Sequence, residues 1–176
     1  LDETRGLTQM LRLVSALADR EMDIGAWLIG PVEGKKEQIL NLAGEVGVTE
    51  NVELIGRVPH EDVFSYLRKG DAGLALLDPK KVGQDIPLKT FEYMYSGIPV
   101  VTTPIEASSK FIDEEWGIVV PFDDTQEQAN EVSELLMDPE RVGRMGKKGK
   151  EVILNEYSWE NEKEKLLSLY ADLESE

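Results

Sequence analysis

The sequence predicts a doubly wound α/β domain, in which a parallel sheet is covered by helices on both faces. Short apolar runs alternate along the chain with segments of helical periodicity, and the runs are apolar at consecutive positions rather than at every second one. These runs cover residues 26–29, 52–56, 72–77, 98–102 and 117–120. The length of 176 residues fits one domain, and a hydrophobic fraction of 41% is enough to bury a core.

Helices are predicted between and after these runs from the 3.6-residue spacing of apolar positions. The first has Thr4 or Asp2 as its expected N-cap, and Trp27 and Phe91 are expected in the core. The predicted helices cover residues 7–18, 33–47, 60–69, 87–96, 106–112, 125–137, 139–155 and 159–173.

The first predicted element is a helix, whereas a doubly wound domain normally opens on a strand. We therefore expect residues 1–176 to form a single ligand-binding domain of a longer protein, whose first strand precedes Leu1. Ligands of such sheets bind beyond the carboxyl ends of the strands. The loops after Ile29, Ile55, Leu77 and Val101 are consequently the ones expected to form a site.

The composition excludes several classes of partner. The chain holds 35 acidic and 19 basic residues, a formal net charge of −16, which disfavours nucleic acid polymers and anionic membrane surfaces. Residues 1–105 carry a net charge of −5 and residues 106–176 a net charge of −11. This asymmetry fits solvated acidic helix faces in the second part, or a small anion bound to the first. There is no cysteine, so disulfides and thiolate chemistry are excluded.

Common catalytic motifs are missing from the sequence. It contains no G-x-x-x-x-G-K-[ST], no G-x-G-x-x-G and no G-x-S-x-G. His60 is the only histidine, so this chain cannot supply a multi-histidine metal site, and we expect His60 to be an exposed residue in the first turn of a helix. We predict no metal ion.

Residues 84–101 carry the most informative pattern. A polar loop leads to Pro87 and the start of a helix, where free backbone N–H groups and the helix dipole favour an anion such as a diphosphate. Lys89 in the first turn would oppose that dipole unless a negative ligand lies there. Glu92, one turn on, could accept both hydroxyls of a ribose. The alternative is an ordinary helix on which Lys89 and Glu92 form a surface pair.

This stretch resembles the signature of GT-B fold, family 4 retaining glycosyltransferases, in their nucleotide-sugar-binding C-terminal domain. That signature is Glu, seven residues, Glu, then Ala or Tyr with Met, a small residue, Gly, any residue and Pro-Val-Val. The match is carried by residues 92–94, Gly97 and residues 99–101. Residues 1–7, 52–58 and 157–159 are similar to further family segments in the same order, so the resemblance spans nearly the whole chain.

The resemblance implies a role for each matched residue. Glu92 would bind the ribose hydroxyls, Arg5 would contact the diphosphate, and the backbone at Leu88 and Lys89 would meet the phosphates. Arg57 and Val58 would lie against the nucleobase. The family's first glutamate, which contacts the transferred sugar, falls at Gln84; this is a departure, and the neighbouring Asp85 could substitute. No catalytic residue beyond the candidates Gln84 and Asp85 is assigned.

The resemblance further implies a donor domain for metal-independent, retaining glycosyl transfer from a UDP- or GDP-sugar, with no cofactor. The acceptor domain of the full-length protein would be the partner, so the isolated domain should be inactive in transfer. A cytoplasmic location follows, with any contact to the inner face of a membrane made through the missing domain.

Two alternatives remain open. A GT-B sugar-nucleotide epimerase would need catalytic acid and base groups in the cleft. A non-catalytic interaction domain of receiver type would need an acidic pair at a strand end, for which Asp78 after Leu77 is the nearest candidate, although Lys80 and Lys81 do not fit that role.

Overall fold

The computed structural model describes residues 6–83 and 85–174, which form five strands and eight α-helices. A single 3₁₀ turn, Thr49–Asn51, precedes the second strand. In chain order the elements are α1 (Leu7–Ala18), β1 (Ala26–Ile29), α2 (Lys36–Glu45), β2 (Val52–Gly56), α3 (His60–Leu67), β3 (Gly73–Ala75), α4 (Leu88–Ser96), β4 (Val100–Thr102), α5 (Glu106–Phe111), β5 (Gly117–Val119), α6 (Thr125–Leu136), α7 (Pro139–Glu156) and α8 (Trp159–Glu174).

All described strand pairs are parallel. Strand β1 pairs with β2, with Ala26 opposite Val52, while β4 lies between β3 and β5. The expected α/β class with parallel strands is thus confirmed, but the strands fall into a two-stranded and a three-stranded sheet. No backbone hydrogen bond joins β1 to β3 within the part of the chain that the structure describes.

Helices cover both faces of the three-stranded sheet. Val101 and Val100 are adjacent in β4 and fully buried, and they point to opposite sides as neighbouring strand residues must. Val101 packs with Leu11 of α1 and with α6, whereas Val100 packs with Met94 of α4 and with α7. The layered arrangement predicted from the uninterrupted apolar runs is therefore confirmed.

The first helix begins differently from the prediction. Its N-cap is Gly6, with φ +81°, and no side chain caps it; the predicted caps Asp2 and Thr4 lie outside the described residues. Gly6 is buried against the carbonyl of Leu76, so a β-carbon there would overlap the backbone just beyond β3. This contact holds the start of α1 against the C-terminal end of β3.

Two further expectations were wrong. Trp27 is 42% exposed, and its ring meets that of Tyr66 edge-on; it lies on the side of β1 that the core does not cover. Strand β3 ends at Ala75 rather than at residue 77, although Leu76 and Leu77 are buried. The apolar pattern at residues 76 and 77 predicted their burial correctly, but the strand pairing ends before them.

Close packing of α7 on α4 follows from glycines. A β-carbon at Gly146 would overlap the carbonyl of Gly97, and one at Gly149 would lie 3.4 Å from the Met94 side chain. Gly143 faces open space. No helix in the described ranges is long and apolar enough to span a bilayer.

Candidate functional site

Helix α4 begins without a side-chain cap. Its N-cap is Pro87, which has no side-chain capping bond, and no acidic residue lies in the first turn. Leu88, the first helical residue, is 79% exposed. The positive end of the helix dipole lies at such a helix start and favours a negatively charged ligand. The predicted anion site at Leu88 and Lys89 is thus accessible.

Glu92 lies one turn further along α4 and is half-buried. The next residue, Tyr93, holds the helix on the sheet: its hydroxyl donates to the carbonyl of Leu74 in β3 at 3.2 Å. Burial raises the pKa of Tyr93, and the charge of Glu92 raises it further. The Glu92 backbone is therefore fixed relative to β3.

The loop after β2 carries the predicted base-contacting residues. Arg57 is exposed and Val58 is half-buried. Gly56, with φ +79°, accepts a hydrogen bond at 2.8 Å from the N–H of Gly30, which ties this loop to the one after β1. The exposed side chain and the fixed backbone leave Arg57 available to a ligand.

Helix α3 follows that loop and packs beside α4. His60 opens α3 and is exposed, as predicted. Its ring meets Phe64 edge-on at 5.4 Å between centroids, and Phe64 in turn meets Tyr95 of α4 at 5.2 Å. The two helices that follow the predicted base and phosphate loops are therefore neighbours.

Two predicted residues cannot be placed. Arg5 and Gln84 lie outside the described residues. Asp85, the candidate substitute for the family's first glutamate, is exposed in the loop before α4. The structure places Leu88, Lys89 and Glu92 on one helix, and it places Arg57 and Val58 in the loop that precedes the neighbouring helix α3. It does not test their roles.

A cavity of about 300 Å³ was not predicted from the sequence. Its walls come from the start of α1, the loop after β3 and the start of α6, including Thr8, Gln9, Asp78, Lys81 and Thr125. None of the described residues predicted for donor binding lines it. The loop after Leu77 was predicted to help form a site, but its convergence with α1 and α6 was not, because these three segments are distant in the chain.

The acidic group in that cavity is already paired. Asp78 is buried, accepts a hydrogen bond from the N–H of Lys80 at 2.9 Å, and lies 3.5 Å from the Lys81 ammonium. Lys80 reaches Asp123 after β5 at 3.6 Å. These contacts order the loop between β3 and α4. No group of three or more potential metal-ligating residues occurs within residues 6–83 and 85–174.

Comparisons with known proteins agree with this architecture. The model of the family described as glycosyl transferases group 1 matches residues 1–138. Among curated relatives, the GDP-mannose-dependent alpha-(1-6)-phosphatidylinositol monomannoside mannosyltransferase of Mycolicibacterium smegmatis is 24% identical. That match covers 94% of this chain and 44% of the relative.

Solved structures share the fold. Sucrose-phosphate synthase from Thermosynechococcus elongatus superposes with a TM-score of 0.82 at 23% identity, over 99% of this chain and 43% of the synthase chain. Alr3699/HepE of Anabaena, solved in complex with UDP, gives a TM-score of 0.82 at 15% identity, over 98% of this chain and 46% of that one.

The fold and the loops at its strand ends define a doubly wound α/β domain of the kind found in GT-B glycosyltransferases. The family match extends over most of the sequence, and the chain belongs to the glycosyl transferases group 1 family. The family predicted from residues 92–101 is thereby confirmed, and the receiver-type alternative is set aside. The chain spans less than half the length of the curated relative and of the two structures described above.

Proposed function

We propose that this chain is the donor-binding part of a retaining glycosyltransferase and binds a nucleoside-diphosphate sugar without a metal ion. The observation that carries the proposal is the start of α4: a helix N-terminus without a side-chain cap or an acidic residue in its first turn, with Lys89 in that turn and Glu92 one turn on. Family membership and the UDP complex of a structural neighbour support it.

Each element of this site has a physical role. The diphosphate lies against the backbone N–H groups at Leu88 and Lys89, with Arg5 contributing a second cation. Glu92 accepts hydrogen bonds from the ribose hydroxyls. When the bond between the anomeric carbon and the diphosphate breaks, negative charge grows on the leaving diphosphate, and these donors stabilise it. Gln84 and Asp85 contact the transferred sugar.

The proposal extends to the nucleobase and the acceptor. Arg57 and Val58 lie against the nucleobase. The mannosyltransferase relative is named as GDP-mannose-dependent, whereas Alr3699/HepE was solved with UDP, so both bases belong in the experiment. The relative is named for a phosphatidylinositol monomannoside, which favours a glycolipid or polysaccharide acceptor. The rest of the full-length protein supplies the acceptor site, in the cytoplasm or at the inner membrane face.

Isothermal titration calorimetry of the chain with UDP, GDP, UDP-glucose and GDP-mannose tests donor binding. We expect a dissociation constant on the order of micromolar to millimolar for one base, unchanged by EDTA. Glu92→Ala should weaken it, whereas Glu106→Ala, which removes an exposed carboxylate of α5 paired with Lys110, should not. Retention is checked by proton NMR of the product anomer made by the full-length protein.

Two results would contradict the proposal. The first is that none of the four compounds binds the folded chain or the chain restored with its upstream residues. The second is that Glu92→Ala and Glu106→Ala have equal effects on affinity, which would mean that Glu92 does not bind the ribose. Circular dichroism of each variant separates lost binding from lost folding.

A further inference from the structure

The cavity beside Asp78 lies at the edge of the sheet where ligands of doubly wound domains bind. Its walls include Asp78 after β3 and Phe122 after β5, so the carboxyl ends of two strands lead into it. The other walls are the starts of α1 and α6, which pack on the face of the three-stranded sheet opposite to α4. The cavity is therefore distinct from the helix start that carries Leu88 and Lys89.

The size of the cavity restricts what it can hold. Its volume of about 300 Å³ is at the lower end of the range for small-molecule sites. A nucleoside-diphosphate sugar combines a base, a ribose, a diphosphate and a sugar, and it needs a larger site than this one. A single sugar ring or a molecule of similar size fits.

Two polar side chains in the cavity walls are more than nine-tenths buried. Asp78 and Gln9 are each 8% exposed. A carboxylate has about four acceptor positions, and the described contacts of Asp78 with Lys80 and Lys81 use two of them. Its remaining acceptor positions suit the hydroxyl groups of a ligand.

Gln9 contributes a second acceptor. Its amide nitrogen donates to the hydroxyl of Thr125 at 3.2 Å and to the amide oxygen of Gln128 at 3.0 Å. Both amide hydrogens are used in this way, so the group that Gln9 can offer to a ligand is its oxygen. These partners hold the side chain in place before any ligand binds, which lowers the entropic cost of binding.

The charges around the cavity balance. Arg12 and Lys81 contribute two cations, and Asp78 and Asp123 contribute two carboxylates, so the formal charge of the walls is zero. A phosphate group would approach the cations but would also lie beside the carboxylates. The hydroxyl of Thr8 adds a neutral donor and acceptor. This mixture suits an uncharged ligand whose groups both donate and accept hydrogen bonds.

An aromatic side chain supplies the apolar part of the wall. Phe122 is half-buried, and its carbonyl accepts from Gln128 at 3.1 Å, which fixes the backbone that carries the ring. The face of an aromatic ring is electron-rich and attracts polarised C–H groups. A sugar ring has C–H groups on its faces and hydroxyls around its edge, so it matches both the aromatic and the polar parts of this cavity.

We propose that the cavity binds one neutral sugar unit, separately from the nucleotide donor. Its hydroxyls donate to Asp78 and Gln9 and accept from Lys81 and Arg12, while a C–H face packs on Phe122. The unit is either a free monosaccharide or one residue of a longer glycan, and the two share the same recognition chemistry. This inference does not depend on Glu92 or on the binding of a nucleotide.

A titration followed by two-dimensional amide NMR of the 176-residue chain tests the proposal. The probes are the methyl α-glycosides of mannose, glucose and galactose, the disaccharides mannobiose and maltose, and inorganic phosphate. We expect at least one glycoside to shift the amides of residues 6–12, 78–81 and 122–125, with a dissociation constant on the order of 10 mM. A disaccharide that binds more tightly than its monosaccharide would identify the ligand as part of a glycan, and equal affinities would identify a free sugar.

Asp78→Asn should weaken the glycoside at least about tenfold, because a hydrogen bond to a charged acceptor is stronger than one to an amide. Asp71→Asn is the matched control: this exposed aspartate precedes β3, at the opposite edge of the sheet, and affinity should stay within about twofold. Circular dichroism checks that each variant folds. If Asp78→Asn does not fold, Phe122→Leu replaces it, and loss of the ring face should weaken binding about threefold or more.

Three results would overturn the proposal. One is the absence of shifts at the cavity with every glycoside up to about 100 mM, well above the expected dissociation constant. Another is that inorganic phosphate shifts these amides whereas the glycosides do not, which would make the cavity an anion site. The third is an affinity unchanged by a folded Asp78→Asn or Phe122→Leu variant. No nucleotide is present in these titrations, so their outcome is independent of donor binding at α4.

Discussion

The ring of Tyr93 occupies the space that a side chain on Gly73 would need. A β-carbon built on Gly73 overlaps the Tyr93 ring, and the Tyr93 hydroxyl donates to the carbonyl of the next residue, Leu74, at 3.2 Å. Helix α4 is thereby locked onto the first residues of β3. Since Glu92 immediately precedes Tyr93, this contact fixes the backbone that carries the proposed ribose-binding carboxylate.

Gly73→Ala should destabilise the protein by about 1–3 kcal/mol, because the added methyl group forces the Tyr93 ring out of its site. The measurement is urea unfolding followed by circular dichroism. Gly143→Ala is the matched control: this glycine of α7 faces open space, so alanine there should stabilise by about 0.5–1 kcal/mol through helix propensity. A Gly73→Ala protein as stable as the wild type would show that the ring contact does not hold α4.

Stability should fall at alkaline pH because of Tyr93. Burial, and secondarily Glu92, raises the pKa of this phenol, so the folded protein keeps a proton that the unfolded chain releases above about pH 10. With more protons bound in the folded state, the free energy of unfolding decreases as pH rises, by up to about 1.4 kcal/mol per pH unit.

The variant Tyr93→Phe removes this proton linkage and should cost about 1 kcal/mol at pH 7 through the lost bond to Leu74. Urea midpoints measured from pH 8 to above pH 10 should fall more steeply for the wild type than for the variant. The four other tyrosines are common to both proteins. Parallel curves would mean that Tyr93 ionises normally in the folded state.

Elements dominated by burial were predictable from the sequence. The apolar runs that became β2, β4 and β5, and the helix that follows Pro87, depend on local pattern and capping chemistry, which the sequence contains. Trp27 was misplaced because a large apolar residue in a strand says nothing about which face of that strand is covered. Pairing was also hidden, since residues 76–77 are as apolar as β3 and yet lie beyond it.

The candidate site likewise has a part that depends on local sequence pattern and a part that depends on tertiary packing. Leu88, Lys89 and Glu92 could be proposed as a site because they lie in the first two turns of one helix, where spacing alone defines their relative positions. The cavity beside Asp78 could not, because Gln9 and Thr125, which meet there, are 116 residues apart in the sequence. Contacts of that separation depend on tertiary packing, to which a local pattern is blind.

The buried side chain of Gln128 should stabilise the packing of α1 and α6 beside that cavity. It is fully buried in α6, and its amide nitrogen donates to the carbonyl of Pro121 at 2.6 Å and to that of Phe122 at 3.1 Å. Its amide oxygen accepts from Gln9 of α1 at 3.0 Å. Gln128→Met keeps the volume but leaves these buried groups unsatisfied, so we expect a loss of about 2–4 kcal/mol.

Urea unfolding measures this loss, with Gln126→Met as the control, since Gln126 lies on the same helix with an exposed side chain. The control should stay within about 0.5 kcal/mol of the wild type. In the double variant Gln9→Met/Gln128→Met, the losses should be less than additive, because the partners satisfy each other. Additive losses would mean that the two side chains act independently.

The proposed contact between Glu92 and the ribose predicts a thermodynamic cycle. A charged acceptor that binds a hydroxyl contributes about 1.5–3 kcal/mol, so 2′-deoxy-UDP or 2′-deoxy-GDP should bind the wild type about ten- to a hundredfold more weakly than the ribonucleotide. In Glu92→Ala the ribonucleotide and the deoxynucleotide should bind equally, because the carboxylate that distinguishes them is gone. Calorimetry with the base that binds more tightly supplies all four affinities.

Glu92→Gln should retain part of the discrimination, since an amide oxygen still accepts one hydrogen bond without the charge. Undiminished discrimination in Glu92→Ala would assign the ribose to another residue even if nucleotide binding itself persists.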